Sequence, residues 1–181
     1  QQRLLRDGHQ VVSLDNEFRG HAAPMHLLSK AFPGKLHYVK ADINDTAAVK
    51  RAIDHHRVHS VMHFAALAYV GESVLQPLAY YRNNVAGLVS VLEACEQAEQ
   101  TVSTFVFSSS CATYGQPPAD MIPVPETCPQ SPVSPYGWTK LHGEHILRDY
   151  ADGRTRAGKP IAVAMLRYFN VCGCDRSGVL G

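Results

Sequence analysis

The chain has 181 residues, 45% hydrophobic and 18% charged, with 17 Lys and Arg against 16 Asp and Glu for a net charge of +1. That is the profile of one globular domain with a sizeable core, which excludes a disordered tail or a fibre. The basic residues are scattered, so neither nucleic acid nor a membrane surface is expected as a partner; no run reaches the ~18 apolar residues of a membrane span, and the chain reads as cytoplasmic.

The opening "QQRLLRDGHQ" reads as the last turns of a helix stopped by Gly8. "QVVSL" (10–14) follows as a first strand and "LHYV" (36–39) as a second. Asp45 is placed to cap a helix beginning "TAAVKRAIDHH", with Val49 and Ile53 turned inward. The cluster His55, His56 and His59 reads as a polar, solvated helix end rather than a metal site. A third strand, "SVMHFAA" (60–66), precedes an apolar helix face formed by Val85, Leu88, Val89, Leu92 and Cys95. "STFVFSS" (103–109) is the fourth strand, and residues 115–135 form a proline-rich loop expected to cross the mouth of a site. Ser134-Pro135 then opens a helix with Leu141, His145, Ile146 and Leu147 on or near one face, and "IAVAMLRYF" (161–169) is the fifth strand. Such alternation predicts an α/β fold, a Rossmann-type doubly wound parallel sheet. The five cysteines, Cys95, Cys111, Cys128, Cys172 and Cys174, have no framework spacing and read as reduced thiols.

Asp15-Asn16 ends the first strand, where an acidic residue of a dinucleotide-binding domain hydrogen-bonds the adenosine ribose and repels the extra phosphate of NADP. NAD is therefore the expected cofactor, with Arg19 as a complication. The glycine fingerprint should lie about 20 residues earlier, before residue 1. The sheet is accordingly expected to be incomplete: its first strand and glycine-rich loop absent, two strands unpaired at its centre, and a C-terminal substrate domain also missing. On that reading residues 1–181 are a partial NAD-binding domain, inactive by itself.

Tyr136 and Lys140 are one helical turn apart, so the ammonium can approach the phenol, lower its pKa and make it a general base near neutral pH. Ser108, Ser109 and Ser110 close the fourth strand at the carboxyl edge of the sheet, where open α/β folds bind ligands.

"FVFSSSCATYG", "SPYGWTK" and "LRYFNVCG", in that order, resemble the extended short-chain dehydrogenase family, and within it the UDP-sugar 4-epimerases. "SLDN", "DINDTAAV" and "HFAALAYVGESVLQPLAYYRNNVAG" extend the likeness over nearly the whole chain. The resemblance implies NAD-dependent epimerisation at C4 of a UDP-sugar, either UDP-glucose/UDP-galactose or UDP-xylose/UDP-arabinose. Hydride would leave C4 for the cofactor and return to the other face of a 4-keto sugar. It makes Tyr136 the base, Lys140 its partner on the nicotinamide ribose and Ser110 the hydroxyl partner of the sugar O4. Asp15 and Asn16 would face the adenosine ribose, and Asp42 and Ile43 the adenine. Phe64, Ala65, Ala66, Asn83 and Ser108 would line the cofactor groove, Tyr168 and Phe169 would lie near the nicotinamide, and Phe169 and Asn170 would reach the substrate. Ala68 departs from members that carry a cofactor-binding lysine there. A 4,6-dehydratase of the same fold needs a carboxylate acid or base after the strand-end serine, and Ser109, Ser110 and Cys111 supply none. A non-catalytic NAD-binding scaffold is the reading from outside enzymology. The family implies a homodimer packed through helices near 84–98 and 136–150.

Overall fold

A computed structural model describes residues 1–173, so Cys174 lies outside the described residues. The strands are β1 (Val11–Asp15), β2 (Leu36–Lys40), β3 (Ser60–His63), β4 (Thr104–Ser110) and β5 (Ala162–Tyr168). All their pairings are parallel, in a two-stranded sheet β1-β2 and a three-stranded sheet β3-β4-β5. Chain order and parallel pairing make this a Rossmann-type arrangement. In the order β2-β1, then β3-β4-β5, no strand among the described residues bridges β1 and β3, which is the central gap anticipated from the sequence.

Strand positions follow the apolar runs to within a residue except in β3, which stops at His63 rather than running to residue 66. The helices are α1 (Gln2–Arg6), α2 (Ala23–Ala31), α3 (Thr46–His56), α4 (Val70–Leu75), α5 (Pro77–Tyr80), α6 (Gly87–Gln97) and α7 (Pro135–Arg156). Asp45 caps α3 by accepting from the Ala48 amide at 2.9 Å, and Val49 and Ile53 are buried as the period requires. Ser134 caps α7 through the Gly137 amide at 3.2 Å, with Pro135 in the first turn. Two expectations need correction. Val89 is exposed on α6, whose inner face is completed by Val91 and Ala94; His145 is exposed on α7, while Leu141 and Leu147 are buried. In both cases the buried arc follows the neighbouring sheet and helix, which a one-dimensional period does not locate.

Between α5 and α6 the chain winds through a π-helical turn, Tyr81–Ala86. Single π turns are frequent at functional sites, and this one carries Asn83 and Asn84. The main core joins Ile43, Val49 and Ile53 to Leu88, Leu92, Phe105, Phe107 and Leu147, so α3, α6 and α7 pack on the β4 region. Leu5, Leu28 and Leu36 form a smaller core under α1, α2 and β2.

Two glycines set the distance between α7 and β4. A Cβ on Gly143 would lie 2.6 Å from the Phe107 ring, and one on Gly137 would lie 2.6 Å from the Ala112 carbonyl oxygen. Both are closer than side chains tolerate, so only glycine lets α7 press its first turns onto the strand end.

Candidate active site

The residues singled out at the end of β4 and the start of α7 do meet. Ser110 ends β4, and its hydroxyl accepts from the Ala112 amide at 3.1 Å, capping the short 3-10 turn Cys111–Thr113. Tyr136, in the first turn of α7, sets its ring edge-on to Tyr80 at a centroid distance of 6.5 Å. Burial raises the Tyr136 phenol above its ordinary pKa, and the hydrogen bond from Ser110 only partly opposes this. Lys140 is 3% exposed. Its Nζ donates to the Ser108 carbonyl at 2.6 Å, 5.1 Å from the Phe107 ring centroid and 5.9 Å from that of Tyr136. Burial depresses Lys140 to about 8. The expected lowering of the phenol by this cation therefore does not appear in the resting chain: the ammonium is turned to a backbone carbonyl, and desolvation dominates at the tyrosine.

His63, at the end of β3, is buried beside Phe105 and Phe107, with ring centroids 6.1 and 6.0 Å away. Burial, helped by Lys140, lowers it to about 4. The imidazole is thus neutral when folded at pH 5, whereas an unfolded histidine titrates near 6.5. Below 6.5 the unfolded state binds the extra proton, so stability falls as pH drops, and the loss is complete near pH 4. The loss should be at most on the order of 3 kcal/mol. Thermal melts between pH 4 and 7 should show a flatter acid limb in His63→Leu than in the wild type; equal slopes would remove His63 as the cause.

Behind the reactive end lies a buried carboxylate. Glu144, two turns after Tyr136 on α7, is fully buried and accepts from Ser109 at 2.6 Å and from Arg167 Nε and Nη2 at 2.9 and 2.8 Å. Gln130 and Arg148 add bonds of 3.2 and 3.0 Å. Burial pushes this carboxyl up, but Arg167, Ser109 and Gln130 outweigh it and hold the group below its ordinary value. Arg167 also donates to the Tyr114 hydroxyl and the Glu126 carbonyl, fastening the proline-rich loop to β5.

A separate groove opens where β1, β2 and β3 end. It is lined by Leu14, Asp15, Asn16, Phe18, Arg19, Gly20, Ala41, Ile43, Phe64, Ala65, Ala66, Leu67 and Asn83. Asn16 donates to Asp42 at 2.8 Å, and Asp42 also accepts from the Asn44 amide and side chain, which hold its carboxyl low. The donor set fits the adenosine half of a dinucleotide: a solvent-facing carboxylate for vicinal hydroxyls, apolar Ile43 and Phe64 for a flat base, and small Ala65 and Ala66 on the same lining. Asn84 ties this groove to α7, bonding the Leu67 amide and carbonyl and the Thr139 hydroxyl.

The fold thus brings Asp15, Asn16, Ile43, Phe64, Ala65, Ala66 and Asn83 together around one groove, with Asp42 adjoining through Asn16. Ser108, Ser110, Tyr136 and Lys140 gather at the end of β4, where Tyr168 pairs with Ser110 in the ladder. Phe169 and Asn170 follow β5 and are exposed. Reading the sequence missed Glu144, Arg167, Tyr80 and His63. Two signals were available: Glu144 continues the i, i+4 series of Tyr136 and Lys140, and Arg167 is a charge inside an apolar strand.

Among the described residues no group of three or more His, Cys, Asp or Glu side chains could hold a metal. His56 stacks on His37 at 4.5 Å and meets His55 edge-on at 4.6 Å. Cys95, Cys111, Cys128 and Cys172 are free thiols. No described helix is long and apolar enough to cross a membrane.

A family model described as GDP-mannose 4,6 dehydratase matches residues 1–179. The chain is 43% identical over 181 residues to a probable UDP-arabinose 4-epimerase of Oryza sativa subsp. japonica, covering 99% of this chain and 43% of that protein. It is 39% identical over 180 residues to a UDP-glucose 4-epimerase of Schizosaccharomyces pombe, covering 98% of this chain and 49% of the relative. The chain therefore spans about half the length or less of these relatives. Among solved structures, a UDP-glucose 4-epimerase from Stenotrophomonas maltophila with bound NAD and formylated UDP-arabinopyranose superposes with a TM-score of 0.89 at 36% identity, over 99% of this chain and 51% of that one. The Brucella ovis UDP-glucose 4-epimerase in complex with NAD gives 0.83 at 40% identity, over 99% and 50%. Sheet order, strand-end serines and the Tyr136–Lys140 turn agree with what these matches establish: the chain belongs to the nucleotide-sugar epimerase/dehydratase family of extended short-chain dehydrogenases.

Proposed function

We propose that this protein epimerises a UDP-sugar at C4, with NAD as cofactor and Tyr136 as the base. The observation that carries the reading is the meeting of Ser110 and Tyr136 at the carboxyl edge of β4, above a buried Lys140, in a chain whose relatives include UDP-arabinose and UDP-glucose 4-epimerases. When bound, NAD supplies the acceptor and later the donor of the C4 hydride. The protein's own part is proton handling. Tyr136 takes the 4-hydroxyl proton, through or beside Ser110, and returns it once the 4-keto sugar has turned over. Lys140, fixed on the Ser108 carbonyl, holds a cation close to the phenol. Asp15, Asn16 and Asp42 would hold the adenosine end, with Ile43 and Phe64 against the base. Asn170 and Phe169 would meet the sugar nucleotide.

A second reading, 4,6-dehydration, is favoured by the description of the family model. Elimination needs a carboxylate beside the strand-end hydroxyl, and the positions after Ser110 are Cys111 and Ala112. Glu144 cannot serve, since its oxygens are occupied by Arg167, Ser109, Gln130 and Arg148. Epimerisation therefore fits better.

The test is to incubate the protein as encoded with NAD and UDP-galactose, and separately with UDP-arabinose, and to separate the products. UDP-glucose in the first or UDP-xylose in the second is the expected result. A 4-keto-6-deoxy product would replace the proposal with dehydration; recovery of both substrates unchanged, with NAD bound, would leave a binding role. The same preparation should sediment as a dimer through α6 and α7, which expose Val89 and Trp138.

A further inference from the structure

We propose that Glu72 sets the charge of the ribose corner: by neutralising Arg19 it keeps the site beside Asp15 selective for an unsubstituted 2′-hydroxyl and against a 2′-phosphate. The proposal rests on the NAD reading above. Asp15 and Arg19 line the same groove, and the turn between them folds over the carboxylate. The Glu17 amide donates to Asp15 Oδ1 at 2.6 Å, and a Cβ on Gly20 would lie 3.7 Å from Oδ2.

A guanidinium in that position would ordinarily invite a phosphate, because its planar fork matches phosphate oxygens. Here it is held by another group. Arg19 Nη2 donates to both carboxylate oxygens of Glu72 at 2.7 Å, and its plane lies over the Tyr69 ring at 4.7 Å and the Phe18 ring at 5.6 Å. Glu72 is itself anchored. The Tyr80 hydroxyl lies 2.6 Å from its Oε2, within 2.8 Å of the Tyr69 carbonyl, and accepts from the Tyr69 amide at 3.0 Å. Tyr80 is fully buried, so Glu72 is held by the fold while Arg19 sits on a connecting turn.

Charge decides the outcome. Asp15, Asp42 and Glu72 against Arg19 leave the corner with two net negative charges, which a phosphate must overcome. Glu72→Gln keeps an acceptor for Tyr80, removes one of those charges and frees an aromatic-stacked cation. The structural consequence is small and the electrostatic one is not.

Calorimetry should compare NAD with NADP, and 5′-AMP with adenosine 2′,5′-bisphosphate, on the wild type, Glu72→Gln, Arg19→Gln and the double variant, all in the protein as encoded. Glu72→Gln should raise the NADP-to-NAD affinity ratio roughly tenfold, the scale of one solvent-screened charge contact. Arg19→Gln should lower the ratio by a similar factor, because it leaves Glu72 uncompensated and takes the corner from two net negative charges to three, and the double variant should return to the wild-type ratio. An unmoved ratio in folded Glu72→Gln, or a double variant whose ratio stays at the Glu72→Gln level, would overturn the assignment while NAD binding persists. If Glu72→Gln does not fold, Arg19→Gln decides by itself: a lowered ratio supports the assignment, and an unmoved or raised one overturns it. Absence of NAD and 5′-AMP binding by the wild type would overturn the cofactor reading, and this proposal with it.

Discussion

Tyr136→Phe should cut turnover of the UDP-sugar by about 10²–10⁴, the usual contribution of a positioned general base, while NAD affinity stays within about twofold. The substitution removes only the phenolic oxygen. The ring that packs edge-on against Tyr80 remains, so the helix start and the neighbouring groove keep their shape. Burial holds the Tyr136 proton more tightly than in free tyrosine, so at neutral pH the resting phenol is protonated. Activity should consequently rise with pH as the phenolate becomes accessible, and the phenylalanine variant should lose that dependence along with the rate. Lys140, depressed to about 8, adds a second titration: above that value the ammonium bound to the Ser108 carbonyl beside the phenol is lost. Rates measured from pH 6 to 10 in both forms would show this. A variant retaining more than about a tenth of the wild-type rate would remove Tyr136 from the role of base.

Glu144→Ala should be the most destabilising single change near the site, by about 3–5 kcal/mol, the cost of leaving a buried ion pair with one partner. In a domain of this size that corresponds to a melting temperature lower by roughly 6–20 °C. The carboxylate is fully buried and gathers Ser109 of β4, Arg167 of β5, Gln130 of the proline-rich loop and Arg148 of its own helix. Its removal leaves the mostly buried Arg167 guanidinium uncompensated and frees Ser109, the neighbour of Ser110. Glu144→Gln should cost less, since the amide still accepts. Replacing both Glu144 and Arg167 by Met should recover much of the loss, because an apolar pair of similar volume needs no desolvated charge. Denaturant unfolding of the three variants checks this; a change below about 1 kcal/mol in Glu144→Ala would show the network to be dispensable.

Much of this chain is written locally. Val11–Asp15, Leu36–Lys40, Thr104–Ser110 and Ala162–Tyr168 are β-branched, apolar runs that form strands wherever they pack. Asp45 and Ser134 mark helix starts because a side-chain oxygen reaches an amide only three residues away. The sequence also carried the parallel order with its central gap, and the single helical turn that separates Lys140 from Tyr136, since both follow from spacing along one chain. Other features required the folded chain. Arg19 meets Glu72 across 53 residues and Ser109 meets Glu144 across 35, distances at which no period links them. The split of the longer 60–66 run into a strand ending at His63 and a groove wall at Phe64–Ala66 depends on where the chain parts from β4, which runs on to Ser110 paired with β5. Even the direction of the Tyr136 pKa was a tertiary outcome: the i, i+4 spacing placed a cation nearby, but the Ser108 carbonyl took that ammonium, and desolvation then prevailed over a charge that points elsewhere.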